Sequence, residues 1–184
     1  MKAVFLDRDG TINHEEPNYL LDLKKLKIFE ESFEAIELLN RHGFKTIVVT
    51  NQSCVGRGLL EEQELQKINA LLKQKLAQRK AVLDSIYYCP HHPDDPCLCR
   101  KPKLGLFEQA VKDHHINLKK SFVIGDRAFD IHAGKAAGCK TILVLTGAGQ
   151  QTLKALKENS EQPDFIAPHI LDAVRWIIRQ PASQ

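Results

Sequence analysis

No apolar run in this 184-residue chain approaches the roughly 20 residues that a membrane-spanning helix requires, which excludes a helical membrane protein. Near the start, the apolar run from Ala3 to Leu6 stops at Asp7-Arg8-Asp9, far short of a signal peptide's apolar core, so a cytoplasmic location is expected. Charge of one sign is scarce as well: 26 Lys and Arg against 23 Asp and Glu leave a net +3. So small an excess calls for neither nucleic acid nor an anionic membrane as partner. Repeats, low-complexity tracts and linkers are lacking. With 43% hydrophobic and 27% charged residues the chain is neither disordered nor collagenous. Its length suits one domain over residues 1–184 with a sizeable core, expected to act as a monomer. Five cysteines, an odd number, do not make a disulfide framework; thiols or metal ligands in a reducing compartment are expected.

What is present is an alternation of short apolar runs with longer amphipathic ones. Residues 3–6, 46–49, 122–124 and 141–145 have the pattern of strands buried on both faces, and 86–88 is a shorter candidate of that kind. Helical periodicity covers 31–42, where Phe33, Ile36, Leu38 and Leu39 share a stripe that ends at Gly43. It also covers 61–78, where Leu65, Ile68, Leu71, Leu72 and Leu76 recur at helical spacing. Further helices are predicted over 104–113, 128–137, 151–157 and 170–178. Such alternation implies an α/β fold, a Rossmann-like parallel sheet flanked by helices. Two long connections, 13–27 and 89–103, break the alternation. Both follow carboxyl ends of predicted strands, where open α/β sheets bind ligands.

The first strand runs into Asp7-Arg8-Asp9-Gly10-Thr11. Two carboxylates two residues apart at a strand end can hold Mg²⁺, or one can attack an electrophile while the other moves protons. Asp, Gly and Thr would also make a capped turn with no chemistry. The rest of the chain decides between these readings. Thr50-Asn51 ends a second apolar run, Gly125-Asp126-Arg127-Ala128-Phe129-Asp130 ends a third, and Lys101 lies between them in Arg100-Lys101-Pro102.

Together, and in this order, these motifs resemble those of the haloacid dehalogenase superfamily of phosphotransferases, over residues 4–130. The resemblance implies that Asp7 is the nucleophile, phosphorylated in turnover, and that Asp9 is the acid and base. It implies that Thr50 and Lys101 hold the phosphoryl oxygens, and that Mg²⁺ is bound by Asp7, Asp126 and the backbone carbonyl of Asp9. Asp130 would orient Arg127 or a metal-bound water. These roles suit phosphoryl transfer, which needs in-line positioning and screening of the equatorial oxygens.

The connection from Cys89 to Cys99 packs Cys89, His91, His92, Cys97 and Cys99 into eleven positions with three prolines. Three thiolates and one imidazole complete a tetrahedral Zn²⁺ set, and a closed set is structural. Spacing admits either His91 or His92. The pattern Cys-x-His, five residues, then Cys-x-Cys-Arg-Lys-Pro resembles a branch of the superfamily whose members act on D-glycero-D-manno-heptose 1,7-bisphosphate or on histidinol phosphate, and that resemblance favours His91. It also implies that zinc tethers the loop delivering Lys101, and that this loop helps to enclose the substrate in place of a large cap domain.

The stretches 7–13, Asn18-Tyr19, 50–53 with Gly56-Arg57-Gly58, and 86–93 look like the heptose members. The implied function is release of the 7-phosphate of the heptose bisphosphate, in nucleotide-heptose and lipopolysaccharide core or surface glycan synthesis. The compact loop and Gly125-Asp126-Arg127 look more like the histidinol members, whose amine would want an acid such as Glu15 or Glu16; Cys54 departs from the Gly expected after Ser53. A second phosphate needs its own cations, and Arg57, Arg100 and Arg127 are available and expected to converge with Lys101 on one rim. Glu15, Asn18, Tyr19, Asn51, Gln52 and Ser53 complete the expected substrate contacts. A zinc-stapled binding module without turnover is the non-enzymatic alternative.

Overall fold

The computed structural model describes residues 1–180. Strands β1 (Ala3–Leu6), β2 (Lys45–Asn51), β3 (Ser85–Cys89), β4 (Phe122–Gly125), β5 (Lys140–Val144) and β6 (Phe165–Ala167) form one sheet in the order β3-β2-β1-β4-β5-β6. Every pairing is parallel, with Leu6 set beside Val48 on one side and Ile124 on the other. Helices α1 (Glu30–Arg41), α2 (Glu62–Ala77), α3 (Gly105–His114), α4 (Ala128–Ala136), α5 (Gly149–Glu158) and α6 (Ile170–Arg179) connect or follow the strands. The expected α/β architecture is observed, with helix and strand ends within two residues of the periodicity.

Strand β1 shows why its residues form a central strand. Its side chains point alternately to opposite faces, and both faces are covered. Val4 and Leu6 join a cluster with Ile36 and Leu39 of α1, Leu65, Ile68 and Leu72 of α2, and Val174 of α6. Ala3 and Phe5 join another with Leu106, Phe107 and Ala110 of α3. The short strand β6 does not stand out in the sequence, because only Ala167 is buried. It forms where Phe165 stacks on Trp176 with ring centroids 4.8 Å apart, and where Asp164 accepts hydrogen bonds from the Thr141 backbone N–H and hydroxyl.

This strand order reverses direction between β1 and β4. In open α/β sheets the crevice at such a reversal, outside the carboxyl ends of the strands, is where ligands bind. Asp7 and Asp126 leave β1 and β4 at that point, and the Asp7 backbone N–H donates to the Ile124 carbonyl at 2.9 Å.

Candidate active site

Asp7, Asp126 and Asp130 converge so closely that one carboxylate oxygen from each lies within 4.8 Å of the others. Lys101 is buried among them at 3% exposure. Its Nζ lies 2.8 Å from Asp7 Oδ1 and 2.5 Å from Asp130 Oδ1, and donates to the Val49 carbonyl. Asn51 at the end of β2 sets the lysine's backbone, accepting from its N–H at 3.0 Å and donating to its carbonyl at 3.2 Å. Burial works against the Lys101 charge, but the Asp130 and Asp7 carboxylates more than compensate and raise its pKa. Asp130 grips Lys101, and at the start of α4 it accepts from the Arg127 backbone N–H. It makes no hydrogen bond to the guanidinium, one of the two alternatives expected for it to orient.

With all three ionised, the carboxylates would outnumber the one ammonium by two negative charges in a buried site. Burial, reinforced by Asp7 and Asp130, pushes the Asp126 pKa up to about 8. Burial likewise pushes Asp130 up to about 7, against the pull of Lys101. Asp126 Oδ2 accepts from the Ala148 N–H at 2.7 Å, whereas Oδ1 is buried with no partner. The backbone closes in around this carboxylate, because a Cβ at Gly10 or Gly147 would stand 2.4 or 2.3 Å from Asp126 Oδ2. Both glycines also have positive φ, which L side chains resist. An unpartnered oxygen in an oxygen-rich site with more carboxylates than ammonium groups fits a hard divalent cation such as Mg²⁺.

Asp9 belongs to a separate network. Arg8, the residue between the two motif aspartates, is completely buried and forks onto the Asp9 carboxylate, with Nη2 2.8 Å from Oδ2. Asn13 donates to Asp9 Oδ1 and Gln52 donates to Oδ2, each at 2.8 Å. Burial would raise the Asp9 pKa, but the Arg8 charge and these donors together hold it below the usual carboxylate range. Gln52 also donates to Thr50 Oγ1 at 2.9 Å, which leaves the Thr50 hydroxyl proton free for another acceptor. Sequence reading missed Arg8. Its signal was a long cation wedged between two acids, but its partners Gln52 and Asn69 lie 44 and 61 residues away.

Above these groups opens a cleft of about 380 Å³, lined by Asp7, Asp9 and Thr50 at its floor. Of the expected substrate contacts, Glu15, Asn18, Tyr19, Asn51, Ser53, Arg100 and Arg127 line it, while Gln52 and Arg57 do not. Gln52 is consumed by the Arg8–Asp9 network, and Arg57 is exposed outside the cleft, so the cationic rim is Arg100 and Arg127 above Lys101. Arg127 is not a spare cation either, since its Nη2 donates to Glu15 Oε1. Arg100 has a buried Nη1 without a partner. The wall opposite the strand ends comes from the first long connection, Glu15 to Leu20, with Tyr19 reaching across to the Ser53 hydroxyl at 3.2 Å. The cysteine-rich loop contributes Arg100 to the rim rather than a covering flap.

In that loop Cys89, His91, Cys97 and Cys99 come together with ligand atoms within 4.8 Å of one another. Cys89 Sγ lies 3.8 Å from Cys97 Sγ and 3.5 Å from His91 Nδ1, which is 3.2 Å from Cys99 Sγ. Two thiolates on a tetrahedral Zn²⁺ stand about 3.8 Å apart given ordinary Zn–S bonds, so this donor set fits zinc. His92 faces away, its Nδ1 3.4 Å from Asp94 Oδ2. The loop is seated on the turn after β2, where the Gly56 N–H donates to the Pro90 carbonyl at 2.7 Å.

The chain is similar to several known proteins. A family model described as HAD-hydrolase-like matches residues 98–173. The D-glycero-D-manno-heptose-1,7-bisphosphate 7-phosphatase of Chlorobaculum tepidum is 35% identical, over 100% of this chain and 98% of its own. The D-glycero-beta-D-manno-heptose-1,7-bisphosphate 7-phosphatase of Haemophilus ducreyi is 37% identical, over 96% of this chain and 98% of its own. Among solved structures, the D,D-heptose 1,7-bisphosphate phosphatase of B. bronchiseptica, complexed with magnesium and phosphate, superposes with a TM-score of 0.90 at 30% identity. That match covers 98% of this chain and 100% of the other.

Proposed function

The chain belongs to the D-glycero-D-manno-heptose-1,7-bisphosphate 7-phosphatase family of haloacid-dehalogenase-like hydrolases, and on that premise we propose that it removes the 7-phosphate of heptose 1,7-bisphosphate by way of a phosphorylated Asp7. The observation that carries this reading is the buried group of Asp7, Lys101, Asp126 and Asp130 at the sheet's reversal point, below a cleft with a cationic rim. It speaks for turnover rather than for a zinc-stapled binding module.

In this reading Asp7 attacks the phosphorus atom, and the P–O bond to the sugar's C7 oxygen breaks. Asp9, which Arg8 and its other donors hold ionised in the free chain, has to take up a proton as substrate binds. It gives that proton to the departing oxygen, then takes one from the water that hydrolyses the acyl phosphate, so inorganic phosphate leaves and Asp7 is restored. Lys101 screens the equatorial oxygens, and the Thr50 hydroxyl donates to one of them. Asp7, Asp126 and the Asp9 carbonyl would hold Mg²⁺, which when bound would supply charge that offsets repulsion between the carboxylate and the incoming phosphate. Arg100, with its unpartnered buried Nη1, takes the second phosphate, and Arg127, Asn18, Tyr19, Asn51 and Ser53 surround the sugar. Cys89, His91, Cys97 and Cys99 would hold Zn²⁺, which would anchor the loop that carries Lys101. The three thiolates this requires support a reducing cytoplasm. All of these groups lie between Asp7 and Arg127, and we propose that the chain works as a single domain.

The histidinol phosphate alternative loses ground on two counts. The relatives reported above are named for the heptose substrate. Of the two cleft acids that could meet an amine, Glu15 is already paired with Arg127 and Glu16 lies 4.0 Å from Lys25. The deciding experiment is a comparison of kcat/KM with Mg²⁺ on heptose 1,7-bisphosphate and on histidinol phosphate. A clear preference for the heptose bisphosphate is expected, and a preference for histidinol phosphate would overturn the reading.

A further inference from the structure

Burying a guanidinium is costly unless its donors and its charge are matched, and Arg8 is wholly buried. If its task were only to neutralise Asp9, the two-pronged contact with that carboxylate would suffice. Instead its remaining donors reach into two other elements. Nη2 also donates to Gln52 Oε1 at 3.0 Å, just past the end of β2, and Nη1 donates to Asn69 Oδ1 at 2.9 Å, in the middle of α2. Gln52 in turn donates to both Asp9 Oδ2 and Thr50 Oγ1. The result is one chain of hydrogen bonds from α2 through Arg8 and Gln52 to Asp9 and Thr50.

We propose that Arg8 is a positioning residue, anchored by Asn69, that aims the Asp9 carboxylate at the leaving oxygen and fixes its placement relative to Thr50. This rests on the acid–base reading of Asp9 given above. A rigid α2, through Asn69, sets the guanidinium; its fork fixes the plane of the Asp9 carboxylate; Asn13 completes the contact on Oδ1. Asn69 is itself buried and does not line the cleft, and its side-chain bond is to Arg8, so it would act on the reaction through Arg8. The competing account is a plain structural staple that joins α2 to the loop after β1.

Leaving-group chemistry separates the two accounts. A sugar alkoxide needs a proton as it departs, whereas p-nitrophenolate does not, and kcat/KM covers the steps up to departure of the leaving group. The test measures kcat/KM on heptose 1,7-bisphosphate beside single-turnover cleavage of p-nitrophenyl phosphate with enzyme in excess, so that slow reaction still registers. The variants are Asn69→Ala, Arg8→Lys and, as reference, Asp9→Asn, each checked for folding by circular dichroism. Asp9→Asn should lose roughly 100-fold or more on the sugar and much less on the aryl ester. Asn69→Ala and Arg8→Lys should show the same selectivity on a smaller scale, about 10-fold on the sugar against about 2-fold on the aryl ester. Should Arg8→Lys fail to fold, Asn69→Ala decides. Equal losses on both substrates, or none, while Asp9→Asn stays selective, would overturn the positioning role alone. If Asp9→Asn itself lost both activities equally, the acid role of Asp9 would fall and this inference with it.

Discussion

Asp7 has its backbone N–H tied to the Ile124 carbonyl and Oδ1 held 2.8 Å from Lys101 Nζ. An asparagine there keeps the volume and can still accept from the lysine, but it offers no carboxylate to the phosphorus. Asp7→Asn should therefore leave circular dichroism and Tm close to those of the parent chain while phosphate release falls by roughly 10⁴-fold or more. Near-normal release from that variant would rule out a phosphorylated aspartate. At this scale the sequence is legible where a motif sits at a strand end: Asp7, Asp9, Thr50, Lys101 and Asp126 all stand around the cleft or at its base. It is silent where two generic side chains meet across the fold. Glu15 and Arg127 pair over 112 residues, and Arg8 and Asn69 over 61. Neither Glu nor Asn carries a mark that distinguishes a side chain paired across the fold from a solvated polar group.

Among the elements, the strands of the sheet's centre and the helices α1 to α6 announce themselves by apolar pattern and period. Strand β6 does not, because its place depends on Trp176 of α6 and on Asp164 rather than on its own run of residues. The cysteine-rich loop was recognisable from composition, yet its position was not. It rests on the turn at Gly56, lines the cleft through Arg100 and sets Lys101 against Asp7 beneath it, while the 13–27 connection makes the opposite wall. Its donor set leads to a count of thiols. Burial pushes the Cys139 thiol up to about 12 and raises Cys54 as well, so neither should react near neutral pH in the folded chain. Zinc would mask Cys89, Cys97 and Cys99. A colorimetric thiol titration should therefore register almost no thiol in the native protein, three after a strong chelator and five after denaturation, with about one zinc per chain by elemental analysis. Three thiols reactive before chelation, or no zinc in protein purified without chelators, would refute the zinc assignment.

Taken whole, the molecule carries a net charge of only +3, yet it concentrates Asp7, Asp126 and Asp130 around a single lysine at the centre of its sheet. Without a cation, the packing of both sheet faces has to hold those carboxylates together against their desolvation and mutual repulsion. Ligands that bind the folded chain and not the unfolded one stabilise it by mass action, by about 2.7 kcal/mol at a hundredfold excess over Kd. For a chain of this size that corresponds to a rise in Tm of roughly 5–10 °C. Mg²⁺ with inorganic phosphate should produce such a shift, and phosphate without Mg²⁺ a much smaller one, because the dianion then meets uncompensated carboxylates. Asp126→Asn should remove most of the Mg²⁺-dependent part by removing one of its carboxylate ligands. Thermal unfolding followed by circular dichroism, with and without each ligand, checks this directly. A shift from Mg²⁺ and phosphate that survives Asp126→Asn intact would place the cation somewhere other than the reversal point of the sheet.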